Sequence, residues 1–145
     1  MARSETELDA LEASAQAWVG TPWADNSAAI GRGVCCHLLL ARVYHAAGWL
    51  PALEMPTGSS MHARGNDRPI MLEWFRGLGS EWFLEVDAHE PGDALLLHVG
   101  HVPHHLGLSL RGGRVLHVTC RQGVRIVESG GQWERLLANT FRPKS

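Results

Sequence analysis

The period of the apolar residues changes midway along this chain, and that change limits its fold more than any other feature. Up to Gly48 they recur at intervals of three and four, while from Trp82 onward they come in short runs suited to strands. Ser4 with Glu7 three residues later forms a capping box, and Leu8, Leu11, Ala15 and Trp18 continue one helical stripe, predicting a first helix from about Glu5 to Trp18. Gly20-Thr21-Pro22 ends it, and the stretch through Gly31 and Gly33 reads as loop. A second helix is predicted from near Cys35 to Gly48, a glycine placed as a helix terminator. Residues 51 to 69 read as a surface excursion of the kind that walls a cleft, followed by a short helix over Ile70 to Arg76. Strands are predicted over Trp82 to Val86, Ala94 to His98, His105 to Leu110, Val115 to Thr119 and Val124 to Val127, with a last turn at Trp133 to Leu137 before Phe141. Helices first and strands later predict an α+β fold: N-terminal helices packed on a central antiparallel sheet of about five to six strands.

Bulk properties exclude several classes. With 145 residues, 45% of them apolar, residues 1–145 are expected to form a single domain around one core. A formal charge of −2 carries no basic footprint, which argues against nucleic acid and against an acidic membrane surface as partners. The opening MARSETELDA lacks the apolar stretch of a signal peptide and no later run has the length of a membrane span, so the expectation is a soluble protein made in the cytoplasm. Cys35, Cys36 and Cys120 are odd in number, and adjacent cysteines bridge poorly, so no disulfide framework is expected.

Two of those cysteines stand where reactivity is cheapest to create. Gly31-Arg32-Gly33-Val34-Cys35-Cys36 puts both thiols in the first turn of a helix, whose unpaired N–H groups and positive dipole end favour a thiolate. Cys36 shares a stripe with Leu39, Leu40, Val43 and Ala47 and is expected to face the sheet, whereas Cys35 leads through Leu38 to Arg42. From this segment alone, two ordinary buried cysteines explain the pattern equally well.

The hairpin around Arg111-Gly112-Gly113 carries His105 on one strand and His117 on the other. A two-residue turn would pair Arg111 with Arg114 and send the histidines to opposite faces. A three-residue loop pairs Leu110 with Arg114 and Gly107 with His117, bringing both imidazoles to one face, and this register is predicted. Gly107 and Ser109 then leave room beside the histidines, and Leu106, Leu108, Leu116 and Val118 pack on the other side. The histidine face is expected to meet the Cys36 helix, with a thiolate–imidazolium pair as the result. In that arrangement His105 takes the thiol proton and later protonates a leaving amine, and His117 orients His105.

At this point the chain resembles the NlpC-type cell-wall peptidases of the papain-like superfamily. The likeness runs through Gly20-Thr21-Pro22-Trp23, Gly33-Val34-Cys35-Cys36, Pro91-Gly92-Asp93, His105-Leu106-Gly107 and Leu116-His117, in family order and over nearly the whole chain. The resemblance implies a papain-like α+β fold, a Cys36–His105–His117 triad, no cofactor and no metal, and hydrolysis of peptide bonds in peptidoglycan stems. Within the superfamily the chain looks similar to the small peptidases of tailed phages and gene transfer agents, whose terminal pattern Trp133, Arg135-Leu136 and Phe141-Arg142 echo. That implies a virion tail tip opening the wall locally, with tail-hub proteins as partners. Relatives that cut beside an N-terminal L-alanine usually carry Tyr, Asp and Ser where this chain has Trp23, Cys35 and His37. Those groups help hold the substrate's amine end, so the resemblance places Trp23, Cys35 and His37 at the substrate site and does not extend to that specificity.

Other readings compete for the same residues. His98, His101, His104, His105, Cys35, Cys36 and Cys120 could hold zinc, although no CxxC pair or HExxH helix is present. The fold could persist as a non-catalytic virion or wall-binding module, and a thiol with a histidine serves acyl transfer as well as hydrolysis. Trp18, Trp49, Trp74, Trp82 and Trp133 are expected in the core or at its edges, and Asp93 in a turn.

Overall fold

The computed structural model of the protein describes residues 3–56, 68–99 and 102–144. Most of the predicted excursion, residues 57–67, lies outside them, as do His101 and the side chain of His104. Helix α1 (Glu5–Gln16) opens with the predicted capping box: Ser4 Oγ accepts from the Glu7 amide at 3.1 Å, and Glu7 Oε1 accepts from the Ser4 amide at 3.0 Å. It stops two residues short of the expected end, where the Trp18 amide donates to Ala15 in a tightened turn. A two-stranded ribbon, β1 (Ala28–Ala29) with β2 (Gly33–Val34), occupies the stretch read as loop and leads directly into α2 (Cys36–Ala46). Helix α3 (Ile70–Arg76) and a 3₁₀ turn (Leu78–Glu81) follow.

The remaining chain builds a six-stranded antiparallel sheet in the order β3-β8-β4-β5-β6-β7. Its strands are β3 (Phe83–Val86), β4 (Ala94–Val99), β5 (Val102–Leu110), β6 (Arg114–Thr119), β7 (Gly123–Glu128) and β8 (Leu137–Pro143). The five predicted strands are all present. The sixth, β8, was expected only as the end of a turn, yet it lies inside the sheet between β3 and β4. A short helix α4 (Gly131–Leu136) carries the chain to it. Among the described residues no helix is long and apolar enough to cross a membrane.

Strand alternation splits the sheet into two faces. Leu96, Leu106, Leu108, Leu110, Leu116, Val118 and Val124 join Leu11, Ala15, Leu39, Leu40 and Val43 in the main core, so α1 and α2 cover one face. Leu95, Leu97 and Val115 point the other way and pack with Val127, Trp133 and Leu137 in a second, smaller core. The predicted three-residue loop is correct: Leu110 pairs with Arg114, Ser109 with Val115 and Leu108 with Leu116, and Gly112 and Gly113 adopt φ of +74° and +68°. Most other side chains there would resist those angles.

Candidate active site

The ribbon fixes where α2 begins. Val34 donates its amide to Pro22 at 3.0 Å, Ala24 donates to Val34 at 3.1 Å, and Cys35 donates to Ser27 at 3.3 Å. Trp23 bridges to Val34 on this path and packs, half-buried, against the main core. Gly33 is required by closeness, because a Cβ there would stand 2.7 Å from that of Ala24. The ribbon thus sets Trp23, Cys35, Cys36 and His37 side by side at one helix terminus.

Cys35 is the N-cap of α2 and only 4% exposed, and its sulfur turns to the His37 ring, 3.6 Å from Nε2 and 3.8 Å from Nδ1. Burial holds the His37 imidazole below its usual pKa, with Asp25 opposing. Cys36 begins the helix proper and is partly buried. Its sulfur is hydrogen-bonded by the amide of Leu106, the residue after His105, with the His37 amide and its own as further donors.

The two histidines meet as the register requires. His105 Nε2 and His117 Nδ1 share a hydrogen bond at 3.2 Å, with ring centroids 5.5 Å apart and planes at 78°. Because Nε2 is engaged by His117, Nδ1 is the His105 nitrogen left for a thiol proton. Behind the pair stands Trp133, 4.9 Å from the His117 ring centroid at 84°. Arg125 lies opposite His117 across β6 and β7.

Two expectations need correction. The apolar side of α2, Leu39, Leu40 and Val43, packs on the face with Leu106, Leu108, Leu116 and Val118, opposite the histidine face. The reason is area: the aliphatic face is the one whose burial the helix stabilises, at ~25 cal/mol for each Å² removed from water. At the start of that helix the Cys36 sulfur lies beside the β5 backbone, at the Leu106 amide. Nor is a charged pair favoured at rest. Burial pushes the Cys36 thiol up to about 11 despite the three amides, and burial with His117 nearby pushes His105 down to about 4. His117 is also held low, by burial first and then by Arg125. Burial thus favours the neutral thiol and the neutral imidazoles.

Asp93 is structural, as expected. It is 2% exposed, accepts from the Glu90 amide at 2.8 Å, and takes Arg142 in a two-point pair at 3.0 and 2.8 Å. The Arg142 pairing was not readable in the sequence, because it depends on β8 lying beside β4. Of the histidines and cysteines considered as zinc ligands, His101 and the His104 side chain are not described, and among the described residues no group of three or more His, Cys, Asp or Glu gathers to hold a metal.

No protein-family model matches the chain, and neither does any curated protein. Solved structures match it throughout its length. A protein similar to lipoprotein, of the NLP/P60 family from Staphylococcus aureus, superposes with a TM-score of 0.63 and 17% identity over 98% of this chain, which spans 43% of that one. The NlpC/p60 domain of the peptidoglycan hydrolase SagA gives 0.56 and 16%, over 91% of this chain and 95% of that one. RipD from Mycobacterium tuberculosis, a non-catalytic NlpC/p60 domain protein adapted to peptidoglycan binding, gives 0.56 and 14%, over 97% of this chain and 98% of that one. At such identities the likeness establishes the NlpC/P60 fold.

Proposed function

We propose, from the premise that the chain carries the NlpC/P60 fold, that it is a cysteine endopeptidase cutting peptide bonds in peptidoglycan stem peptides. The observation that carries this reading is the His105–His117 hydrogen bond on one sheet face, with the Cys36 sulfur bonded to the amide next in the chain to His105. In the proposed reaction His105, donating through Nε2–H to His117 Nδ1, keeps Nδ1 open for the thiol proton. That proton moves as the sulfur attacks the scissile carbonyl, since both partners are neutral beforehand. In this reading the Cys36 amide and a neighbouring donor take the oxyanion. His105 then protonates the leaving amine, and a water deprotonated by the same ring releases the acid from the thioester. His117 orients His105 throughout. Trp23 and His37 supply the substrate surface, with Cys35 behind His37.

We infer from the terminal pattern Trp133, Arg135-Leu136 and Phe141-Arg142 alone a place for the protein in a virion tail, assembled in the cytoplasm, docked to tail-hub proteins and acting on the bacterial wall. A binding-module reading has its own support: a Cys36 thiol pushed up to about 11 and the non-catalytic neighbour RipD. Transfer of the acyl group to an amine in place of water is a third outcome of the same thioester.

Mass spectrometry of digested sacculi separates them. The wild-type chain is expected to release stem-peptide fragments, Cys36→Ala and His105→Ala none, and Cys35→Ala nearly as much as wild type. Intact binding without release by the wild type would favour the module, and products joined to an added amine would favour transfer.

A further inference from the structure

Helix α4 has no buried residue, and Trp133 is its half-buried member while the rest of the helix is exposed. Its indole enters the second core beside Val115, Leu95 and Leu97 and stands against His117. Gly107 makes the space: a Cβ at that position would come within 3.2 Å of Trp133 Cζ3 and 2.9 Å of Val115 Cγ1. Gly107 shows no positive φ, so its missing side chain serves room rather than backbone angle. His117 thus has two neighbours that fix its ring, His105 at Nδ1 and the indole edge-to-face. The last torsion of a histidine side chain is broad, so one hydrogen bond alone leaves the ring plane weakly set. Edge-to-face aromatic contact narrows it.

We propose that Trp133 is a positioning residue of the histidine pair, holding the plane of the His117 ring so that Nδ1 stays aimed at His105 Nε2. The catalytic consequence rests on the peptidase reading above; the effect on the rings does not. Gly107 leaves the room that the indole from α4 occupies beside the His117 ring.

The test is imidazole nitrogen NMR of the full chain, as wild type, Trp133→Ala, Trp133→Phe and Trp133→Leu, with the amide spectrum as a check of fold. Wild type and Trp133→Phe should show distinct, fixed nitrogen shifts for His105 and His117. Trp133→Ala and Trp133→Leu should move them toward the average of two tautomers. Trp133→Leu keeps an apolar cover and carries the reading alone if Trp133→Ala fails to fold. Unchanged His117 and His105 nitrogens in the folded Leu or Ala variant would overturn the proposal. On stem-peptide cleavage, Trp133→Leu should lower kcat about tenfold at unchanged KM and add nothing when combined with His117→Ala. An equal loss in the His117→Ala background would mean that Trp133 acts elsewhere, and would also overturn it. A wild-type chain that cuts nothing would defeat the peptidase reading and leave the nitrogen spectra to decide Trp133.

Discussion

Cys36 shows two forces on one sulfur and which of them wins. A helix N-terminus contributes ~0.3–1 kcal/mol to a nearby anion, whereas withdrawing an ion from water costs several kcal/mol. Burial therefore sets the sign, and the thiol rises to about 11 with the Leu106, His37 and Cys36 amides only moderating it. The dipole was legible in the sequence and the burial was not, because it depends on β5 closing over the helix start. The histidine pair was legible, since a three-residue loop and strand alternation suffice to put His105 and His117 on one face. Cys120 is exposed and offers an internal reference. Iodoacetamide is expected to label Cys36 far more slowly than Cys120 at pH 7 and to catch up only as the pH nears 11. Faster labelling of Cys36 than of Cys120 at pH 6 would show a resting ion pair instead.

At the scale of elements, β8 is the piece that sequence patterning missed. Only Thr140, Phe141 and Pro143 of its seven residues are buried, so the alternation that marks a strand is absent, and Asn139 is a poor strand former. Its place is held by partners far away in the chain: Phe141 stacks on Phe75 at 4.2 Å, and Arg142 neutralises Asp93. The ribbon β1–β2 escaped for a similar reason, being two residues long on each side and held by Pro22 and Ser27. Removing one partner of a pair whose carboxylate is 2% exposed strands a buried charge. Arg142→Ala is accordingly expected to lower unfolding stability by about 3 kcal/mol in a denaturant titration. By contrast, Glu5, 81% exposed where it meets Arg111, should cost under ~0.5 kcal/mol as Glu5→Ala. Equal losses in the two variants would contradict this ranking.

Across the whole molecule, the neutral site gives stability a definite pH window. His105 has its folded-state pKa depressed from 6.5 to about 4, and His37 and His117 are lowered too. As pH falls below 6.5 the unfolded chain binds protons that the native one refuses, so stability drops down to about pH 4, by at most about 3 kcal/mol for His105. Cys36 acts in the opposite direction of pH. Raised from 9.0 to about 11, it keeps its proton in the native state while the unfolded chain loses one, so stability drops again between those values, with Tyr44 adding to the loss. Urea midpoints are expected to be highest near pH 7.5 and lower at both pH 5 and pH 10. A midpoint that rises on going from pH 7.5 to pH 5 would contradict neutral burial.

The central claim is that the Cys36 sulfur becomes the acyl carrier with the His105–His117 pair as its base. Acid-quenched intact-mass analysis of the chain with a synthetic stem peptide tests it most directly. The account predicts an acyl thioester that maps to Cys36, is cleared by hydroxylamine, and is missing from Cys36→Ala and His105→Ala. Cleavage by Cys36→Ala at the wild-type rate, an adduct mapping to Cys35 or Cys120, or a wild-type chain that neither cuts nor carries the peptide would contradict it.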